Sequence, residues 1–148
     1  MSIFEMFKSA VGQVTEAPKG MTAVEQCCSR LGWGIDKRFN DTNIGLDFTT
    51  AAGPRQVIIH AERESHYVVL SVFSNFSATA QNFNPTIPAY LLERNGKLIV
   101  GAWRVFKADD TLRFIVSYTA LSAGMDPPTF KTICQALLDE VRDFDLKM

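Results

Sequence analysis

Hydrophobic residues near the two ends of the chain recur every three or four positions, which is the spacing of one face of a helix. In residues 2–15 this stripe consists of Phe4, Phe7, Val11 and Val14. In the last segment it continues over four turns, as Phe130, Ile133, Cys134, Leu137, Leu138, Val141 and Phe144. Asp126 is a favourable N-cap for this segment, and a proline follows it at the first helical position. The pattern predicts an amphipathic helix at each end of the chain.

A third amphipathic segment follows the first one. Val24, Cys27, Cys28 and Leu31 repeat the stripe before Gly32 ends it. Two sequence patterns typical of capping boxes mark the starts of these first two helices, and they are Ser2 with Glu5 and Thr22 with Glu25. Both helices are expected to bury one face.

Between the helices the hydrophobic period changes to two, and β-branched and aromatic residues become frequent. The predicted strands are Trp33–Phe39, Asn43–Thr50, Gln56–Glu62, Tyr67–Asn75, Leu98–Phe106 and Thr111–Leu121. Residues 76–88 are polar and contain two prolines, so they predict a loop that leads into a short helix over Ile87–Arg94. We therefore expect one α+β domain over residues 1–148, with an antiparallel sheet of about six strands packed by N- and C-terminal helices.

Strand alternation sorts the side chains into two faces. We expect the terminal helix to cover Ile99, Trp103, Val105, Phe114, Val116 and Tyr118. If Lys107 faces Leu112, the opposite face is mixed, and it is more apolar than an ordinary solvated face. Its residues form the candidate interaction face: Ile58, His60, Tyr67, Val69, Phe73, Val100, Ala102, Arg104, Phe106, Arg113 and Ile115.

This second face needs a cover. Covering about 800 Å² of half-apolar surface would contribute on the order of 10 kcal/mol before association costs. A dimer partner, a bound peptide or the N-terminal helix of residues 2–15 could each supply it.

Composition narrows the class of function. The chain of 148 residues is 47% hydrophobic and has 15 basic and 16 acidic residues, with a formal charge of -1 and no basic stripe. We therefore expect no nucleic-acid partner. No apolar run is long enough for a membrane span, and Glu5 and Lys8 interrupt the N-terminal apolar pattern, so a cytoplasmic protein is expected. The three cysteines favour buried thiols over a disulfide framework.

No catalytic or metal-binding constellation is evident in the sequence. Glycine-rich phosphate loops and a GxSxG motif are absent. The two histidines, His60 and His66, fall in a strand and in the following turn, where a surface or hydrogen-bonded histidine is the commoner role. The adjacent Asp109 and Asp110 suit a turn for backbone reasons. We therefore assign no catalytic residue, no metal ligand and no cofactor.

The C-terminal half has a family resemblance. Residues 89–96 (AYLLERNG), the strand from Leu98 with its Gly-Ala-Trp, the Asp-rich turn, the strand from Arg113 and the helix from Thr129 resemble the YbjN-type sensory regulators, which are similar in fold to type III secretion chaperones. By element order the resemblance covers residues 20–145, and residues 1–18 lie outside it. It implies a small α+β domain, often a homodimer, that works by binding other proteins and has no known catalytic residues.

Three hypotheses follow. The leading one is a non-enzymatic interaction module, regulator-like or chaperone-like, that forms a homodimer and binds a protein or peptide partner. The alternative is a small-molecule or lipid-binding protein, or an enzyme, with a site between the sheet and residues 76–95. In the third, the N-terminal helix is itself the functional part and docks on this domain or on a neighbour.

Overall fold

The computed structural model describes residues 2–3 and 18–148. This part of the chain contains three helices and six strands. In order they are α1 (Gly20–Leu31), β1 (Lys37–Arg38), β2 (Asn43–Thr50), β3 (Gly53–His60), β4 (Tyr67–Thr79), α2 (Thr86–Asn95), β5 (Ala102–Ala108), β6 (Thr111–Leu121) and α3 (Pro127–Lys147). A single 3₁₀ turn, Ser122–Gly124, joins β6 to α3. The helix predicted over residues 2–15 lies, apart from its first two residues, outside the described part of the chain.

The six strands form one antiparallel sheet in the order β1-β2-β3-β4-β6-β5. Helices α1 and α3 contact each other, and both pack on β4. The α+β fold class, the antiparallel sheet and the helix that packs on it from the C-terminal end are therefore confirmed. Asp126 caps α3 as predicted, because its carboxylate accepts a hydrogen bond of 2.8 Å from the backbone N–H of Thr129.

The core lies between the sheet and these two helices. One side of the β3–β4 hairpin is buried there, as the alternation predicted: Val57, Ile59, Ala61, Val68, Leu70 and Val72. Phe114 and Phe144 bring an aromatic group from β6 and α3 to the same core. All three cysteines are free and buried in it, so their expected place in the core is confirmed.

The predicted N-cap of α1, Thr22, is wrong by three residues. The helix begins at Gly20, and Lys19 at its N-cap supplies no side-chain hydrogen bond. Thr22 lies inside the helix, where its hydroxyl accepts from Arg63, and Glu25 pairs with the same arginine at 3.2 Å. The two residues that suit a capping box thus serve a tertiary contact with the β3–β4 turn.

Gly20 fixes the place where the chain enters the domain. Its φ is +47°, and a Cβ on it would lie 1.6 Å from the carbonyl oxygen of Glu62. Only glycine avoids this clash and tolerates the left-handed conformation. The N-terminal end of α1 is therefore held against the turn between β3 and β4.

The strand predicted over Trp33–Phe39 is mostly absent, since only Lys37 and Arg38 pair with β2. Trp33 and Ile35 instead pack against the core as a connecting segment. Asp36 replaces a backbone partner, because its carboxylate accepts from the N–H of Asp47 at 2.7 Å. A side chain has thus taken the place of a longer strand pairing.

Strand β3 begins and ends earlier than predicted, and β4 continues to Thr79, into the segment predicted as a loop. The pairing of β4 with β6 shifts between Phe73 and Ser77. This bulge accommodates extra residues while keeping the alternation of faces. Phe76 therefore still points into the core, with its ring centre 5.7 Å from that of Phe114.

The start of β5 is also later than predicted. Residues 98–101 precede the strand, and Gly101 at φ +90° is packed so closely that a Cβ would lie 2.7 Å from Leu137. Among the side chains expected under the terminal helix, Trp103, Phe114 and Val116 are buried, and Tyr118 is half-buried. Ile99 and Val105 are exposed, so their assignment to the core is wrong. Ile99 precedes the strand, and Val105 lies on an edge strand.

A buried ionic network connects β3 and β4 to the C-terminal end of α3. Arg55 of β3 donates from Nε and Nη2 to one carboxylate oxygen of Asp145 in α3, at 2.8 and 2.5 Å. Ser74 at the β4 bulge donates to the other oxygen. The two charged side chains are only 3% and 6% exposed. This network holds the last turns of α3 against β3 and β4.

Candidate functional site

The candidate site is the face of the sheet opposite α1 and α3, which we call the open face. Its side chains come from alternate positions of β3, β4, β6 and β5, and the pairing places them in rows. The rows are His60–Val69–Thr119, Ile58–Ser71–Ser117–Ala102, Phe73–Ile115–Arg104 and Arg113–Phe106. Lys107 pairs with Leu112, the register that the sequence argument assumed.

Ten of the eleven residues of the predicted interaction face thus share this one surface. Tyr67, paired with Leu121, extends it at one end. Val100 is the exception, because it lies before β5 and packs against the core, and its placement on this face is a wrong prediction. The sequence reasoning missed Leu121, although it alternates in step with Thr119.

The open face has a half-buried centre and exposed apolar ends. Ile115 and Ser71 are nearly buried by their neighbours. Tyr67, Leu121 and Phe106 are 61%, 57% and 55% exposed. Exposed apolar side chains of this size on one surface make the open face a candidate site for contact with another protein.

Six of the twelve side chains in these rows are polar, and the two arginines among them, Arg104 and Arg113, lie toward β5. The Ser71 and Ser117 hydroxyls are hydrogen-bonded at 2.8 Å, and Arg104 donates to Ser117 at 3.1 Å. The guanidinium of Arg113 lies 5.3 Å from the ring centre of Phe73, a cation–π distance. These two arginines keep free donors that could bind carboxylates.

The surroundings of His60 do not form a catalytic arrangement among the described residues. His60 is exposed, and its Nδ1 lies 3.0 Å from the amide oxygen of Asn43. No serine or cysteine side chain accompanies His60 among the hydrogen bonds of the described residues. His60 is therefore placed as a surface side chain at the end of the open face.

The outer edge of the sheet, which we call the β5 edge, is a second exposed surface. The side chain of Asn95 binds both backbone groups of Trp103, accepting from its N–H at 2.6 Å and donating to its carbonyl at 3.1 Å. The backbone groups of Trp103 therefore point away from β6. Those of Val105 and Lys107 point the same way because hydrogen-bonded and non-bonded pairs alternate in an antiparallel ladder.

Apolar side chains surround this edge. Ile99 is 96% exposed and Leu92 is 72% exposed, and Val105 is also on the surface. Beside them lies a cavity of about 210 Å³ between α2 and β5, lined by Pro88, Leu91, Leu92, Asn95, Trp103, Arg104 and Val105. An edge strand with free backbone groups and apolar neighbours can pair with another chain.

Glu140 of α3 positions α2 and β5 relative to the core. Arg94 donates two hydrogen bonds to its carboxylate, at 3.0 and 2.6 Å, and the indole N–H of Trp103 donates a third at 2.9 Å. Burial by itself raises the pKa of Glu140, but these hydrogen bonds and the charge of Arg94 outweigh it and lower the pKa below its ordinary value. Glu140 is therefore an ionised structural group.

The cavity between α2 and β5 falls where the sequence placed the alternative small-molecule site. Its lining is mainly apolar, and the amide of Asn95 is already bound to the backbone of Trp103. Residues 18–148 bring together no group of three His, Cys, Asp or Glu side chains able to hold a metal ion. Within the same residues, no helix has the length and apolar character needed to cross a membrane.

Comparison with known proteins shows the fold. No family model and no curated protein matches the chain. The crystal structure of YbjN from E. coli, a candidate transcription regulator, matches with a TM-score of 0.57 and 14% identity, and the match covers 86% of this chain and 90% of that one. A chain of the HopA1–SchA chaperone–effector complex matches with a TM-score of 0.62 and 9% identity, over 84% of this chain and 91% of that one. The likeness to YbjN and to a type III secretion chaperone complex is thus confirmed for the fold.

Proposed function

We propose that this domain is a non-enzymatic protein-binding module, regulator-like or chaperone-like, that holds a segment of a partner protein against its open face. The observation that carries the proposal is the open face itself, a row-ordered surface of mixed polar and apolar side chains with exposed apolar ends, which α1 and α3 leave uncovered. One fold neighbour comes from a chaperone–effector complex and the other is a candidate regulator, which supports a protein partner.

The chemistry of the face defines the partner segment. Tyr67, Leu121 and Phe106 offer apolar contacts, and fully burying one side chain of this size is worth about 1.5–3 kcal/mol. Arg104 and Arg113 favour carboxylates beside those contacts. We expect a segment with two or three large apolar residues and at least one Asp or Glu.

A displayed library of random peptides, selected on the immobilised protein, tests this proposal. Selected peptides should combine apolar and acidic residues, and Arg113→Glu should weaken their binding at least tenfold in calorimetry. Tyr67→Ala should weaken it as well. Arg142→Glu is the matched control, because Arg142 lies on the outer surface of α3.

The proposal fails if the selected peptides bind the Arg113→Glu and Tyr67→Ala proteins as tightly as the original protein. It also fails if Arg142→Glu, but neither open-face variant, weakens the binding. Circular dichroism of each variant verifies that the fold is retained.

We further propose that two copies associate through the β5 edge to form a homodimer. The ladder with β6 turns the backbone groups of Val105 and Lys107 outward there, and Leu92 and Ile99 supply exposed apolar area. Pairing of the edges would continue the sheet from one copy into the next and leave most of the open face accessible. An isologous interface of this kind closes at two subunits.

Sedimentation velocity at micromolar concentration tests this assembly. The unmodified chain should sediment as a dimer, and a Leu92→Glu/Val105→Lys variant should sediment as a monomer. Tyr67→Glu on the open face is the control and should leave the dimer intact. A monomer for the unmodified chain, or a dimer that only Tyr67→Glu dissociates, would contradict the β5-edge interface.

A reducing compartment such as the cytoplasm suits this module. Cys27, Cys28 and Cys134 are free thiols in the core and form no disulfide. Localisation of a fluorescent fusion would test this placement.

A further inference from the structure

The last four residues of β6 have a neighbouring strand on one side only. Residues 118–121 pair with β4 along their whole length. On their other side, β5 begins at Ala102, which pairs with Ser117, and in the described part of the chain no strand continues beyond it. Gly101, at φ +90°, precedes Ala102 in a conformation that does not continue a strand. We call the unpaired side of residues 118–121 the β6 edge.

The backbone groups of Thr119 and Leu121 point to this edge. Successive residues of a strand in an antiparallel ladder turn their N–H and C=O groups alternately toward the two neighbouring strands. The N–H of Ser122 donates to the carbonyl of His66 at 2.7 Å, so the even-numbered residues of this part of β6 face β4. Thr119 and Leu121 therefore face away from β4, and no backbone group within residues 18–148 pairs with them there.

The β6 edge is the floor of a groove. A cavity of about 370 Å³ at its β5 end has Ile99 in its wall, and a cavity of about 380 Å³ beside it has Thr129 and Ile133 of α3 in its wall. Tyr118 and Thr119 line both cavities, so the two adjoin along the edge. Because walls flank the floor, a single extended chain fits this groove better than the edge of a second folded domain.

We propose that an extended segment of a partner protein binds at the β6 edge as an added strand, in line with β5. This inference rests on the proposed function in that it takes the partner to be a protein, and it specifies how the partner's backbone is held. Thr119 and Leu121 are two residues apart, which is the spacing at which one added strand can bond to both. Main-chain hydrogen bonds then supplement the side-chain contacts of the open face.

The surroundings of the edge define the side chains of this segment. The residues opposite Thr119 and Leu121 point onto the open face, as those two side chains do. Leu121 is 57% exposed and offers an apolar contact, and Arg104 in the wall of the β5-end cavity favours a carboxylate opposite Thr119. The residue opposite Ala120 points to the other side, toward Ile133, and should be apolar. We expect an antiparallel strand that reads apolar, apolar, acidic from its N-terminal end.

Thr119→Pro tests the backbone pairing. Proline removes the N–H that points to the edge, and it is tolerated at positions whose N–H lies outside the ladder. Peptides selected from the displayed library on the unmodified protein should bind Thr119→Pro at least about fivefold more weakly in calorimetry, because one backbone hydrogen bond is lost. Thr119→Val keeps the N–H and is the matched control, with binding expected to be close to that of the unmodified protein.

A second variant leaves β6 unchanged and narrows the groove from the side of α3. Thr129→Trp places a large side chain in the groove wall and should weaken the binding as well. Lys131→Trp, at an exposed position of α3 that does not line the groove, is its control. Circular dichroism and urea titration of each variant verify that the fold is retained.

Amide hydrogen exchange measured by NMR reads the β6 edge directly. In the free protein the amides of Thr119 and Leu121 should exchange faster than those of Tyr118 and Ala120, which bond to β4. A bound peptide should slow the exchange of Thr119 and Leu121 at least about tenfold.

The proposal is overturned if a bound peptide leaves these two amides unprotected, or if peptides bind Thr119→Pro and Thr129→Trp as tightly as the unmodified protein. Binding that Arg113→Glu weakens and both groove variants leave unchanged would support the open face and overturn the added strand. Binding that the groove variants weaken, with no effect of Arg113→Glu or Tyr67→Ala, would support the added strand and contradict the open-face proposal.

Discussion

The ionic network of Arg55, Ser74 and Asp145 gives the sharpest prediction about stability. We expect Asp145→Ala to destabilise the domain strongly, because it leaves the Arg55 guanidinium buried without its countercharge. Arg55 would keep only the carbonyl oxygens of Pro54 and Ala52 as acceptors. Breaking one partner of a buried ion pair costs about 3–5 kcal/mol.

That loss is large on the scale of the fold. Domains of this size unfold with a free energy of about 5–15 kcal/mol, so at least about a fifth of the stability would be lost. With a urea m-value of about 2 kcal/mol per molar, the unfolding midpoint should fall by roughly 2 M. Urea titration followed by circular dichroism measures this shift directly.

Two comparisons separate the buried charge from a general effect on α3. Asp139→Ala removes an exposed carboxylate that pairs with Arg142 in the same helix, and it should cost less than about 1 kcal/mol. The double variant Arg55→Met/Asp145→Leu removes both charges and should recover most of the loss, since apolar pairs of similar volume often replace buried ion pairs without cost. If Asp145→Ala costs no more than Asp139→Ala, or if the double variant is less stable than Asp145→Ala, the reasoning is refuted.

Three further predictions concern other buried groups. Burial raises the pKa of Glu140, but hydrogen bonds, chiefly those from Arg94, lower it overall. The ionised Glu140 therefore stabilises the fold at pH values above the unfolded-state pKa of about 4.5, and this stabilisation is lost as the pH falls through the lower folded-state pKa. Urea titrations should therefore find Glu140→Gln less stable than the unmodified chain at pH 7, with a difference that shrinks toward pH 3; a constant difference would contradict this. Burial raises the pKa of Cys134 to about 12, so a thiol reagent at pH 8 should modify it only as fast as the domain opens, and rapid labelling of the native protein would be inconsistent with its place in the core. Gly20→Ala should prevent folding or cost more than about 3 kcal/mol by urea titration, whereas Gly34→Ala, where a Cβ meets no atom within 4 Å, should be close to neutral; equal effects would show that the Glu62 contact is not the constraint.

Much of the fold could be predicted from local patterns. The bounds of β2 and β6, the N-cap of α3 and the buried side of the β3–β4 hairpin follow from period and capping chemistry, which act over a few neighbouring residues. The errors lie where a distant group replaced a local one. Asp36 took the place of a longer strand pairing, and Thr22 and Glu25 bind Arg63 instead of capping α1.

The candidate site divides in the same way. Alternation alone placed His60, Val69 and Ile115 on one side of the sheet, because successive side chains of a strand point to opposite faces. It could not place Val100, whose position depends on where β5 begins; Gly101, at φ +90°, lies immediately before that start. The β5 edge was equally out of reach, because the order of strands decides which one has no neighbour.

The sequence by itself determined that the chain has more apolar surface than one side of its sheet can bury. Period and alternation carry that information because they depend only on neighbouring residues. The tertiary structure decided where the excess is exposed, which is on the open face and along the β5 edge. It also decided which charges are buried. Arg55 and Asp145 are 90 positions apart in the sequence, and no local pattern connects residues at that separation. Packing between distant segments fixes these features, and each of them is therefore visible only in the folded chain.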